Sequence, residues 1–244
     1  MKKAYHFCSG KKNDSVLALI LAGGYGKRLR PLTESIPKPL VKVGGKPIIY
    51  WQIKWLESFG VSRFVLLAGY RSGKLAGYIR SIGYQDKVKV SVERTPLGSA
   101  GAIRNAMTLL GKEEEFLLVN GDNITDMDIG KLKLRKGQLA CLSIVPYKST
   151  RGVVRFSGSR ITGFEEKQFI GGLWVNAGIM LVSSKILKSL PVRGSLEADV
   201  FPRLAKAGKL SCVKVEGSYF NSVDYFKDLE EVDGDIRSGK VRFS

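Results

Sequence analysis

The sequence predicts an α/β protein with a mostly parallel, mixed sheet and helices on both faces, and three observations predict it. Short apolar runs ending in turn signals recur along the first half. The segments between them carry helix-like spacing, and later apolar runs follow one another with little helix between. Regular alternation makes right-handed βαβ units; its later loss adds an antiparallel piece.

Residues 16–21 open the series as a continuous apolar segment closed by glycines, which marks a buried parallel strand rather than a helix. Residues 64–68, 88–92 and 116–119 repeat the pattern. Ile48, Ile49, Ile53, Leu56 and Phe59 mark one apolar helix face between the first two. Residues 139–145, 153–156, 161–165 and 173–182 then read as strands. Residues 196–207 read as a helix, 210–215 and 220–223 as strands, and 225–236 as a closing helix.

The 244 residues can bury one sizeable core, and no linker, repeat or low-complexity tract divides them. A polar arm over 1–14 followed by one domain over 15–244 is expected. The arm is too poor in apolar residues for a signal peptide, and the 16–21 segment falls far below the ~20 residues that span a bilayer, so no membrane association is expected. Cys8, Cys141 and Cys212 are widely spaced and odd in number, which excludes a disulfide framework or zinc site and fits a reducing cytoplasm. Cys141 and Cys212 lie in apolar strand-like runs and read as buried small hydrophobes. The single histidine, His6, lies in the arm, so no His-dependent triad is available elsewhere.

Forty Lys plus Arg against 22 Asp plus Glu give a net charge of +18. The cations are scattered and aromatics do not interleave them, so weak polyanion attraction is expected but no specific nucleic-acid site. One cluster stands out. After the first strand come Gly23, Gly24 and Gly26, then Lys27, Arg28 and Arg30, with Lys38 held between Pro37 and Pro39. Glycines at a strand's carboxyl end bring backbone amides close to phosphate oxygens, and the cations meet a polyanion from a second side. The spacing fits neither G-x-G-x-x-G nor the Walker pattern. Asp122 follows the 116–119 strand through Asn120 and Gly121, so its carboxylate reaches the same sheet edge. It is a candidate Mg²⁺ ligand, with a turn or capping role as the alternative. Asp126 and Asp128 read as caps of the next element.

LAGGYGKRLRPLT, PKPLVKVGGKPI, TPLGSAGAI, LVNGD, FEEK and VNAGIML occur in the order used by the sugar-1-phosphate nucleotidyltransferases. Over residues 15–235 the chain resembles that family, and within it the mannose-1-phosphate and manno-heptose-1-phosphate guanylyltransferases. The resemblance implies a Rossmann-like fold of the nucleotide-diphospho-sugar transferase type. It also implies Mg²⁺-dependent transfer of a nucleotidyl group from an NTP, GTP favoured, to a sugar 1-phosphate, with a UTP- or dTTP-dependent enzyme or a noncatalytic regulatory subunit as alternatives. The left-handed β-helix domain of many relatives is not expected here, and a homodimer is left open as the assembly.

Carried onto this chain, the family motifs imply nucleotide contacts at Leu21, Ala22, Gly23, Gly24, Gly26 and Asn120. Arg28 and Lys38 fall on the triphosphate, while Lys27 adds charge or is merely solvated. Glu93 falls where the family contacts the nucleobase edge. A carboxylate only accepts hydrogen bonds, and guanine offers two adjacent donors where uracil or thymine offers one, so Glu93 favours guanine unless it is a solvated strand-end residue. Gly98 and Gly101 would let the backbone approach nucleotide or sugar. Glu166 and Lys167 match the pair that binds the sugar phosphate, with Glu165 as an alternative acceptor, and Asn176 and Gly178 match the stretch that lines the sugar. A surface hairpin and an ordinary strand are the plainer readings of those two segments. The family's late metal-binding acid is missing: aligning Lys227, Asp228 and Leu229 puts Ser222 in its place. Asp224, two residues on and on the same face of a strand, is the expected substitute.

Overall fold

The computed structural model describes residues 16–166 and 168–243, so the expectations for the 1–14 arm, His6, Cys8 and Lys167 lie outside the described residues. In chain order the first half holds β1 (Val16–Ala22), α1 (Leu32–Ser35), β2 (Lys42–Val43), β3 (Lys46–Pro47), α2 (Ile48–Ser58), β4 (Val61–Ala68), α3 (Ser72–Ser81), β5 (Val88–Val92), α4 (Gly98–Asn105), α5 (Met107–Leu110), β6 (Glu115–Asn120) and β7 (Asn123–Thr125). The second half holds β8 (Ala140–Lys148), β9 (Val153–Ser157), β10 (Arg160–Glu165), β11 (Phe169–Ser183), α6 (Phe201–Lys206), β12 (Leu210–Lys214), β13 (Phe220–Ser222) and α7 (Phe226–Arg237).

Seven strands form the central sheet in the order β12-β8-β11-β6-β1-β4-β5. β11 runs against both of its neighbours, and every other pairing within that sheet is parallel. Alternation along the strands sends side chains to two layers. Ala18, Ile20 and Ala22 pack with Ile49 and Ile53 of α2 and Leu75 and Ile79 of α3. Leu17 and Leu19 pack on the other face with Ala100 and Ile103 of α4 and Phe201 and Leu204 of α6. A third cluster, with Leu29, Val41, Val43, Val223 and Val232, docks α7 beneath the glycine-rich turn. β1 lies between β4 and β6, so the winding reverses at its carboxyl end, where open α/β sheets bind ligands.

Two local expectations are corrected. The helix over 196–207 opens with a π turn, Leu196–Val200, before α6 begins. Pro202 has no amide to extend the preceding ladder, and the Ser195 hydroxyl instead accepts from the Glu197 and Ala198 amides. Cys141 is buried as expected, whereas Cys212 is exposed, because β12 is an edge strand. Among the described residues no helix is long and apolar enough to cross a membrane.

Candidate active site

The main chain fixes the spacing of the site. The Gly121 amide donates to the Leu21 carbonyl at 2.9 Å, clasping the ends of β6 and β1. A β-carbon at 121 would run into that same carbonyl, so glycine is required for the close approach. β13 pairs antiparallel with β7, Ser222 opposite Asn123, and the Val223 amide donates to the Asp122 carbonyl at 3.0 Å. Asp224 is thereby carried to Asp122. It lies beyond the end of β13, so the following turn provides its reach rather than a shared strand face. Asp228 holds that turn by accepting from the amides of Asp224 at 3.0 Å and Tyr225 at 2.8 Å.

Lys38 sits between the two acids. Its Nζ donates to Asp122 Oδ2 at 2.7 Å and to Asp224 Oδ1 at 2.9 Å, and its side chain is only 13% exposed. Burial alone would lower the lysine pKa, but the charge and hydrogen bond of Asp122 and those of Asp224 outweigh it and raise it above 10.5. Burial likewise pushes Asp224 upward, and the hydrogen bond and charge of Lys38, with Ser222 and Arg28, carry it below 3.8. The Arg28 guanidinium stands 3.6 Å from Asp224 and 5.1 Å above the Tyr225 ring. Leu21, Ala22, Gly24, Gly26, Arg28, Lys38, Asp122 and Asp224 line one cleft of about 270 Å³.

Across the glycine turn lies a smaller cleft of about 120 Å³, lined by Gly23, Gly69, Tyr70, Glu93, Arg94 and Thr95 among others. Glu93 Oε2 accepts from the Leu97 amide at 3.0 Å, and Oε1 lies so close to Gly23 and Gly69 that a β-carbon on either would come within 2.9 and 2.8 Å. The two glycines make room for the carboxylate. The Tyr25 and Tyr70 rings stand 5.2 Å apart, and the Glu34 carbonyl accepts from the Tyr70 hydroxyl at 2.7 Å and from Arg71 at 2.9 Å.

The remaining candidates fall elsewhere. At Gly98 and Gly101 the space a β-carbon would need is filled by the backbone of Gly194 and Val192, so both glycines permit close packing of the chain on itself. Gly178, at φ +68°, accommodates the Asn120 side chain, and its amide donates to Asn176 Oδ1 at 3.0 Å. These three join the end of β6 to the middle of β11. Glu165 and Glu166 line neither cleft; Glu165 faces Arg155 at 3.6 Å in the β9–β10 hairpin, and Glu166 is exposed beside it. Asp128 caps the turn Ile129–Lys131 as expected, whereas Asp126 accepts from the amides of Tyr219 and Arg242 instead. Sequence reasoning passed over Gly69 and Tyr70, whose signal is position, directly after the apolar run that forms β4.

The residues present fit a hard divalent cation. Asp122 Oδ1 is buried with no hydrogen-bond partner, an arrangement costly for a carboxylate oxygen unless a cation meets it. Asp224 stands beside it through Lys38. Among the described residues no third acid, cysteine or histidine joins them. That suits an ion held by two carboxylates that takes its other ligands from phosphate and water, as Mg²⁺ does.

A reversed winding point that carries a glycine turn, a lysine held between two acids and a nearby arginine defines a doubly wound α/β protein with a charged cleft at its switch point. The chain belongs to the nucleotidyl transferase family, whose model matches residues 17–237. A mannose-1-phosphate guanyltransferase of Aspergillus oryzae is 36% identical over 218 residues, covering 84% of this chain and 60% of the relative. The chain therefore spans about 60% of the length of the curated relatives it matches. Among solved structures, HddC from Yersinia pseudotuberculosis has a TM-score of 0.72 at 27% identity, covering 91% of this chain and 99% of that one. HddC complexed with GMP-PN gives 0.70 at 26%, with the same coverage.

Proposed function

We propose that the chain transfers a nucleotidyl group from a nucleoside triphosphate, GTP by preference, to a sugar 1-phosphate, either mannose 1-phosphate or a manno-heptose 1-phosphate. A sugar-phosphate oxygen bonds to the α-phosphorus, the bond from that phosphorus to the β-phosphate oxygen breaks, and pyrophosphate leaves. The observation that carries this reading is the meeting of Lys38, Arg28, Asp122 and Asp224 in one cleft at the glycine turn.

The nucleophile is anionic at neutral pH, so the barrier is the repulsion and alignment of two polyanions. Lys38 supplies a buried point charge and Arg28 a planar fork for two phosphate oxygens, while the amides of the 23–26 turn add dipoles that need no reorganisation. Asp122 and Asp224 would hold Mg²⁺, which when bound supplies positive charge against the reacting phosphates. Glu93, beside Tyr70, reads the base by accepting from guanine. That HddC was obtained with GMP-PN, and that the Aspergillus relative is named a guanyltransferase, support the guanine preference. Glu166 and Lys167 bind the sugar phosphate, with Glu165 as an alternative acceptor, and Asn176 and Gly178 line the sugar. The reading treats residues 15–244 as one catalytic unit, assembled as a homodimer in the cytoplasm, a location that the free thiols of Cys141 and Cys212 support.

Pyrophosphate release from each NTP with a panel of sugar phosphates tests the proposal. Fastest release from GTP with mannose 1-phosphate or a manno-heptose 1-phosphate is expected. Preference for UTP or dTTP would overturn the role of Glu93, and no release from any pair would overturn the activity.

A further inference from the structure

A glutamine interrupts the apolar face of α2. Gln52 stands one turn after Ile48 and one before Leu56, and like them it is buried, only 2% exposed. Its Nε2 donates to the Asn120 carbonyl at 2.7 Å and to the Asn123 carbonyl at 3.0 Å, and these two residues flank Gly121 and Asp122. Oε1, at the other end of the same amide, is buried with no hydrogen-bond partner. An orphaned buried acceptor is costly, so the amide's place in this apolar face rests on what Nε2 holds.

The two bonds staple the turn between β6 and β7. Main-chain contacts set how far apart the strand ends stand, because the Gly121 amide donates to Leu21 and the Asp122 carbonyl accepts from Val223. Those contacts leave the peptide units between them free to tilt; holding the carbonyls of 120 and 123 on one nitrogen removes that freedom. The far side of the staple is itself anchored, since Asn123 Nδ2 donates to the Ala177 carbonyl of β11 at 2.7 Å. What the turn presents is the Asp122 carboxylate, with one oxygen on Lys38 at 2.7 Å and the other buried without a partner. One turn farther along α2, Trp55 Nε1 makes a comparable buried bond, to the Met127 carbonyl at 3.1 Å, beyond the end of β7.

We infer that Gln52 is a positioning residue, which staples both sides of the turn so that the Asp122 carboxylate faces the cleft in one fixed direction. It touches no reacting group and acts through Asp122. The inference rests on the proposed role of Asp122 as a Mg²⁺ ligand and goes beyond it in naming what aims that ligand. Groups that orient a metal-binding side chain typically carry about 10–100-fold of metal affinity or activity.

Gln52→Met keeps the length and volume of the side chain but has no donor, and Gln52→Asn keeps the amide one methylene short of both carbonyls. Both should retain the wild-type circular dichroism. Gln52→Met should lower kcat for pyrophosphate release about 10–100-fold, with KM for GTP and for the sugar phosphate within about 3-fold of wild type. Binding of Mn²⁺ alone to the full chain, followed by electron paramagnetic resonance, should weaken about 10-fold. Trp55→Phe removes the neighbouring bond and should lower the urea midpoint at least as far, yet leave kcat and Mn²⁺ affinity unchanged; a merely structural role for Gln52 would make the two alike. Exchange of the Gly121 and Val223 amides, read by NMR, should quicken on the order of 10-fold in both Gln52 variants while the amides of β4 stay protected. Wild-type exchange at both amides in these variants overturns the inference, as does a Trp55→Phe that loses as much turnover and Mn²⁺ affinity as Gln52→Met. A wild type that releases no pyrophosphate from any NTP overturns the proposed reaction instead, and amide exchange then decides the role of Gln52.

Discussion

The two halves of the proposed site are built differently. The nucleotide half stands on the ends of β1, β4, β6 and the turn after β13, where main-chain bonds such as Gly121 to Leu21 set every spacing. The sugar half depends on Glu165 and Glu166 at the root of a two-stranded ribbon that contributes to no buried cluster. Residues on a packed sheet edge are positioned before any ligand arrives; residues on a ribbon take their place from whatever covers it. Substitutions in the first half should therefore act on turnover, and those in the second on substrate affinity.

Asp122→Ala should have the largest effect, removing turnover by about 10³-fold or more, since it deletes the half-buried carboxylate that Lys38 contacts and that would hold the proposed Mg²⁺. Pyrophosphate release measures it, and near-full activity would end the assignment. Lys38→Ala should cost about 10²–10³-fold in kcat, and it should also loosen Asp224, which is then left facing Asp122 without the intervening ammonium. Single-turnover kinetics separate that loss from weaker binding. Glu93→Gln should raise KM for GTP roughly 10-fold while leaving KM for the sugar phosphate unchanged, because an amide presents a donor to one of the two guanine donors. Equal changes in both constants would mean that Glu93 only supports the fold. Glu166→Gln should raise KM for the sugar phosphate a few-fold with little change in kcat, the sign that the ribbon supplies uniform binding. No change would remove the ribbon from the site.

The smallest effect belongs to neither half. On the outer surface, burial pushes Glu57 upward, but hydrogen bonds from Lys87, Tyr84 and Lys54 bring it below 4.5. A folded-state pKa depressed in this way stabilises the protein above 4.5, and the contribution is lost as pH falls through the lowered value. Urea unfolding of wild type and Glu57→Gln should differ by no more than about 1 kcal/mol at pH 7, and by less as the pH drops below 4.5. Activity should be unaffected.

The contrast between the halves also explains what the sequence disclosed. β1, β6 and the later part of β4 are buried apolar runs with turn residues at their ends, and hydrophobic periodicity reports burial directly, whereas β5 at the sheet edge is buried only at Val88 and Ser91. The loop residues at their carboxyl ends, from Gly23 to Arg28 and at Asp122, were legible because strand and site are adjacent in the chain. In sequence, glycines whose missing β-carbon serves packing, as at Gly98 and Gly101, are not separable from glycines that face a ligand. Nothing local to Asp224 says that Lys38 will hold it, since that contact is made by β13 pairing with β7. Exposure on an edge strand was equally hidden at Cys212, where an apolar run of ordinary composition forms the rim of the sheet.

The contact of Gly121 with Leu21 has a mechanical consequence. It is a rivet made of main chain alone, so the gap between the glycine turn and the acid at 122 is insulated from side-chain exchange across most of the scaffold. The weak point is residue 121: a single methyl group there, as in Gly121→Ala, would wedge the two strand ends apart and throw cation and carboxylate out of alignment together, leaving the hydrophobic interior untouched.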